Sequence, residues 1–231
     1  RANGARAGAV YTNQCGQAGF VTLRMPFCQA RENIVFKHKF IKACFVKMDN
    51  IIRQDAASRL YLTDNLEGLM TKVLVTGATG FIGLHCIAQL LAQDYEVVGT
   101  IRSVSRKDEV VEAMSKAGLS TDKLSLVEAD LTKDAGWDDA VKGCEYVLHV
   151  ASPFIVGMPK HEDELIVPAV GGVERVLQAA IRAGVKRTVL TSSCAAIDKT
   201  HDGKTHYTEA DWTDAEHPKT PPYNKSKTLA E

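Results

Sequence analysis

The pattern of apolar and polar positions changes character near residue 70. Before it, apolar residues keep no sustained strand or helix period. Only FKHKFIKACFVKM (36–48) gathers Phe36, Phe40, Ile41, Cys44 and Phe45 on one side of a weak helical pattern. After it, short apolar runs alternate with amphipathic stretches. KVLVT (72–76), YEVVGTI (95–101), KLSLVEA (123–129), CEYVLHVA (144–151) and KRTVLTSS (186–193) predict five strands. Helical spacing predicts helices over 81–93, 107–118, 134–142 and 162–184. Gly118 and Gly184 close two of them, glycine being the residue that most readily takes the left-handed stop. A turn-rich stretch, 194–222, leads into a last helix over 223–231. Strands and helices in alternation argue an α/β protein with a parallel sheet covered on both faces. Right-handed crossovers then predict a doubly wound, Rossmann-type sheet of strand order 3-2-1-4-5.

Charge sharpens the boundary. The whole chain balances 28 basic against 28 acidic side chains, so no global field draws it to nucleic acid or membrane. Residues 1–69 nevertheless hold ten basic and five acidic groups, with no acid before Glu32, while Met70 opens directly onto the first strand. The reading is that 1–69 is a non-family leader or upstream extension, poorly ordered and outside the fold, and that 70–231 is one cofactor-binding domain. The longest uncharged stretch, 73–93, is broken by Gly77, Gly80, Gly83 and His85, so it reads as strand, turn and helix and not as a membrane span. Six scattered cysteines make no CxxC or CxxH pair, which argues against zinc and for a reducing, cytoplasmic setting. No metal is expected at His161-Glu162-Asp163-Glu164, because acids at a helix start complement its dipole.

The candidate chemistry begins in TGATGFIG, between the first strand and helix. Gly77 permits the tight turn, Gly80 lets the backbone approach a pyrophosphate, and Gly83 allows close helix packing. Thr79, Phe81 and Ile82 complete this candidate cofactor-binding set, where unpaired helix N–H groups face the phosphates. Arg102 ends the second strand, where an acid would select NAD(H) and an arginine accommodates a 2′-phosphate. NADP(H) is therefore expected over NAD(H), with Arg106 or Lys107 as helpers. Ala151 and Ser152 put small residues at the switch-point crevice. Asp130 and Leu131 follow the third strand; by itself such an Asp reads equally as a helix N-cap. Tyr223 and Lys227, four apart, share one helical face, and an ammonium there would lower the tyrosine pKa. Ser192 and Ser193 end a central strand, where a hydroxyl can donate to a substrate oxygen.

The G-xx-G-xx-G spacing, Arg102, EADL, HVASPF, EDELIVPAV, LTSSCAAI and YNKSKTLAE together resemble the extended short-chain dehydrogenase/reductase family. The likeness is to its dihydroflavonol reductase and aldehyde reductase branch, over nearly all of 70–231. The resemblance implies NADP(H)-dependent reduction of a small aldehyde or ketone to an alcohol. It assigns Ser193, Tyr223 and Lys227 as catalytic, Tyr223 and Lys227 as cofactor contacts too, and Asp130 and Leu131 to the adenine pocket. It also implies a longer chain with a substrate lobe beyond Glu231. The alternatives are a nucleotide-sugar epimerase or dehydratase, and a non-catalytic dinucleotide-binding module. Substrate identity and oligomeric state are not legible.

Overall fold

The computed structural model describes residues 11–15, 18–23, 71–154, 157, 159–198, 203, 206–208 and 210–231. Its strands are β1 (Tyr11–Cys15), β2 (Ala18–Leu23), β3 (Lys72–Val75), β4 (Glu96–Ile101), β5 (Leu124–Glu128), β6 (Tyr146–His149) and β7 (Arg187–Thr191). They form one sheet in the order β1-β2-β7-β6-β3-β4-β5. The helices are α1 (Phe81–Ala92), α2 (Lys107–Lys116), α3 (Trp137–Val141), α4 (Asp163–Arg182) and α5 (Pro222–Ala230).

The five strands after Met70 all pair in parallel and stand in the order expected from right-handed crossovers. Strand β3 lies at the centre, and Val73, Leu74 and Val75 are fully buried. Alternation sends Val73 and Val75 to one face, with Ile87 and Leu90 of α1 and Val110 and Met114 of α2. Leu74 faces the other way, with Trp137 of α3 and Val176 and Ala180 of α4. Burial on both faces is why β3, β4 and β6 read as apolar runs, whereas β5, with Ser125 and Glu128 exposed, alternates.

Two features depart from the sequence reading. Helix α3 starts at Trp137, not at Asp134, because Gly136 caps it with φ 89°. A Cβ at Gly136 would lie 2.2 Å from the Glu128 carbonyl oxygen. Second, part of the supposed leader lies in the sheet. β1 and β2 pair antiparallel, and β2 adds in parallel to β7, from Gly19 opposite Arg187 to Leu23 opposite Thr191. The outer edge of β7 offers a row of backbone donors and acceptors that another strand can satisfy. Such pairing is backbone chemistry and leaves little trace in side-chain periodicity. The weak helical pattern at 36–48 lies outside the described residues.

Candidate functional site

The sheet reverses winding between β3 and β6, and a crevice of about 880 Å³ opens at the carboxyl ends of the strands there. Gly77, Thr79, Gly80, Phe81, Ile82 and Gly83 line its floor; Arg102, Asp130 and Leu131 line one end, and Ala151, Ser152, Ser193, Tyr223 and Lys227 the other. All the candidate catalytic and cofactor-binding residues named from the sequence therefore face one cavity, whereas the helpers Arg106 and Lys107 are not among its lining.

The glycine turn is held by Thr100 at the end of β4. The Gly77 N–H donates to Thr100 Oγ1 (3.0 Å) and the Ala78 N–H to the Thr100 carbonyl (2.8 Å). Gly77 sits at φ 72°, a conformation that glycine takes without strain. A Cβ at Gly83 would lie 2.2 Å from the Gly77 oxygen, so the first turn of α1 presses on the loop itself rather than on the sheet. Helix α1 has Gly80 as N-cap, no side-chain cap and no acid in its first turn. Its leading N–H groups thus remain for an anion, with the positive end of the helix dipole behind them. This cradle, with an exposed Arg102 at the rim, fits a dinucleotide carrying a 2′-phosphate.

A buried polar junction missed by sequence reading fixes the opposite wall. Thr76 Oγ1 accepts from the Val150 and Ala151 N–H groups (3.0 and 2.9 Å). Both its lone pairs are then used, so its proton goes to His149 Nδ1 at 2.9 Å. His149 is therefore neutral, with its proton on Nε2. Burial, with Lys227 nearby, pushes its pKa down to about 3. The available signal was a histidine inside a strand with no water-facing position, CEYVLHVA, which demands a partner.

The reactive end gathers three buried or half-buried groups. Lys227, on α5, donates from Nζ to Ser152 Oγ at 2.8 Å, and burial brings its pKa down to about 8. Its Nζ lies 5.9 Å from the centroid of the Tyr223 ring. Contrary to the expected lowering, the Tyr223 pKa is raised. Burial is the main cause and outweighs the hydrogen bond from Ser193. The two adjacent serines separate cleanly. Ser192 Oγ donates to Glu231 Oε2 at 2.5 Å, whereas Ser193 reaches Tyr223 and accepts from the Ala195 N–H at 3.2 Å. Phe154 stands edge-on to Tyr223 (centroids 5.9 Å apart) and is 67% exposed; with Thr100 and Pro168 it adds to the lining without having been foreseen.

The other end is more polar. Asp130 Oδ1 accepts from both the N–H and the hydroxyl of Thr132 (2.8 Å each), and these bonds hold its carboxyl below the usual range. Of the helpers proposed for Arg102, Arg106 is held by Glu109 through two bonds of 2.8 and 2.7 Å. Among the described residues no three metal-ligating side chains cluster, and no helix is long and apolar enough to cross a membrane.

Comparison with known proteins gives the family. The NAD dependent epimerase/dehydratase family matches residues 73–231. Tetraketide alpha-pyrone reductase 1 of Arabidopsis thaliana is 37% identical over 165 residues, 69% of this chain and 50% of that protein. Dihydroflavonol 4-reductase of the same plant is 36% identical over 69% of this chain and 43% of its own length. Among solved structures, yeast methylglyoxal/isovaleraldehyde reductase Gre2 complexed with NADPH superimposes with a TM-score of 0.61 at 32% identity. That match covers 69% of this chain and 50% of Gre2. The chain spans about half the length of the relatives it matches.

Proposed function

The chain belongs to the NAD dependent epimerase/dehydratase family, and from that premise we propose that it binds NADP(H) and serves the reduction of an aldehyde or ketone to an alcohol. On this reading residues 70–231 bind the cofactor, which the crevice-lining residues within that span support. The observation that carries the reading is the convergence of Ser193, Tyr223 and Lys227 on the same crevice as the uncapped start of α1. Arg102 at the rim supports the phosphorylated cofactor, and the NADPH complex of Gre2 points the same way.

The nicotinamide, when bound, supplies the hydride. This chain supplies the proton and the orientation. Tyr223, kept protonated by its burial, donates its phenolic proton to the carbonyl oxygen as charge builds there. Ser193 accepts from the Ala195 N–H and is hydrogen-bonded to Tyr223; with substrate bound, its O–H turns to the carbonyl oxygen beside Tyr223 and stabilises the charge there. Lys227, bonded to Ser152 and 5.9 Å from the centroid of the Tyr223 ring, presents a positive charge that stabilises the phenolate left after proton transfer. Phe154 and Pro153 give the reactive end an apolar wall, which suits an apolar carbonyl compound.

The test is to incubate the protein with NADPH and a panel of aldehydes and ketones, following cofactor oxidation and alcohol formation together. The proposal expects turnover that Ser193→Ala and Tyr223→Phe both suppress. Turnover indifferent to both substitutions, or none with any carbonyl, would overturn it.

A further inference from the structure

Helix α4 lies behind the end of the crevice lined by Asp130 and Leu131, and it is joined to Leu131 at two points. The first is a steric fit. A Cβ at Gly172 would lie 2.7 Å from Leu131 Cδ2, 2.9 Å from its Cβ and 3.1 Å from its Cγ. A contact with Cδ2 alone would be relieved by a rotamer change. The contact with Cβ would not, because Cβ moves only with the backbone. The second point is a hydrogen bond: Arg175, one turn along, donates from Nη1 to the Leu131 carbonyl at 3.0 Å. Its Nε reaches Asp134 Oδ1 at 2.5 Å, so one guanidinium spans both ends of the segment 131–134. The Asp130–Thr132 bonds shape the turn from within but do not attach it to the rest of the fold.

The geometry points to Gly172 and Arg175 as positioning residues for the adenosine end of the bound dinucleotide, acting through Leu131. This rests on the proposed function and on the resemblance that assigns Asp130 and Leu131, which line that end of the crevice, to the adenine pocket. Neither residue lies among those lining the crevice. Gly172 lets Leu131 sit back against the helix, and Arg175 fixes its backbone there. With a methyl at 172, the whole of residue 131 moves toward the cavity and narrows the slot. Overpacking of this kind costs enough to weaken a ligand by about tenfold.

The experiment measures binding of two halves of the cofactor to the full chain: 2′,5′-ADP for the adenosine end and reduced nicotinamide mononucleotide for the other. In Gly172→Ala, the dissociation constant for 2′,5′-ADP is expected to rise about tenfold, and that for the mononucleotide to stay unchanged. Arg175→Met keeps the aliphatic stem, removes both bonds and should shift the same ligand alone; it carries the test if Gly172→Ala does not fold. Equal losses for both half-ligands, or no loss for either, would overturn the inference. Failure of the unsubstituted chain to bind 2′,5′-ADP at all would instead remove the functional reading on which it stands.

Discussion

At the scale of single residues the site is set by what burial does to charge. Lys227 is only 7% exposed, and its pKa falls to about 8, while Tyr223 is pushed up. The alkaline limb of carbonyl reduction should therefore belong to Lys227 and not to the tyrosine. As pH rises through about 8, the ammonium is lost before the phenol ionises. A profile of kcat/KM against pH, which reports the free enzyme, should bend downward there. A limb only near the ordinary tyrosine range would count against this assignment. Tyr223→Phe should cut turnover by about 10²–10⁴-fold with little change in NADPH affinity, since it removes a proton and no cofactor contact of weight. Steady-state rates beside a binding titration check both halves of that statement. Tyr223, Lys227 and the glycines were legible because their roles demand fixed spacing. The raised tyrosine pKa was not, since desolvation depends on neighbours such as Phe154 that no spacing reveals.

At the scale of elements, the strands after Met70 were legible in number and order because the central ones are buried on both faces, β5 alternates, and each crossover has one allowed hand. Ends were less so. The shortened α3 depends on a left-handed Gly136, and the hairpin of β1 and β2 depends on backbone pairing that side-chain patterns do not encode. The α1 junction yields a direct prediction. In Gly83→Ala the new methyl, fixed in place by the helix backbone, would meet the Gly77 carbonyl oxygen at 2.2 Å, so the turn must open. The gain of about 1 kcal/mol from alanine in a helix is smaller than the cost of such a clash. Both the thermal midpoint and NADPH affinity should fall. A variant as stable and as tight-binding as the parent would mean that the loop and helix are not so closely pressed.

The β3–β6 junction gives a second prediction, for acid. His149 keeps a pKa of about 3 in the fold, against about 6.5 when unfolded. Both states are neutral above 6.5. Below it the unfolded chain takes up a proton that the folded chain refuses. Stability therefore drains away as pH falls from 6.5 toward 3, at about 1.4 kcal/mol per pH unit from this group. His149→Asn retains an acceptor for the Thr76 hydroxyl but cannot titrate. Denaturant midpoints at pH 7 and pH 5 should fall less in that variant than in the parent. Equal falls would place the acid sensitivity elsewhere.

For the whole molecule, the fold concentrates the chemistry in 70–231 and adds β1 and β2 along one edge of the sheet. A chain starting at Met70 should still bind dinucleotide but would bare the outer edge of β7, and it should self-associate more than the full chain on a sizing column. Loss of cofactor binding on that deletion would mean that residues 1–69 contribute to the site. The central claim is that the crevice at the β3–β6 switch point is an NADP(H) site read by Arg102. Its most direct test is an equilibrium titration of the 231-residue chain with NADPH and with NADH. A charge-assisted contact to the 2′-phosphate is worth about 1.5–3 kcal/mol, so NADPH should bind at least tenfold more tightly. Arg102→Asp should bring the two affinities together or reverse their order. Saturation by neither nucleotide, or equal affinity of the parent for both, would contradict the account.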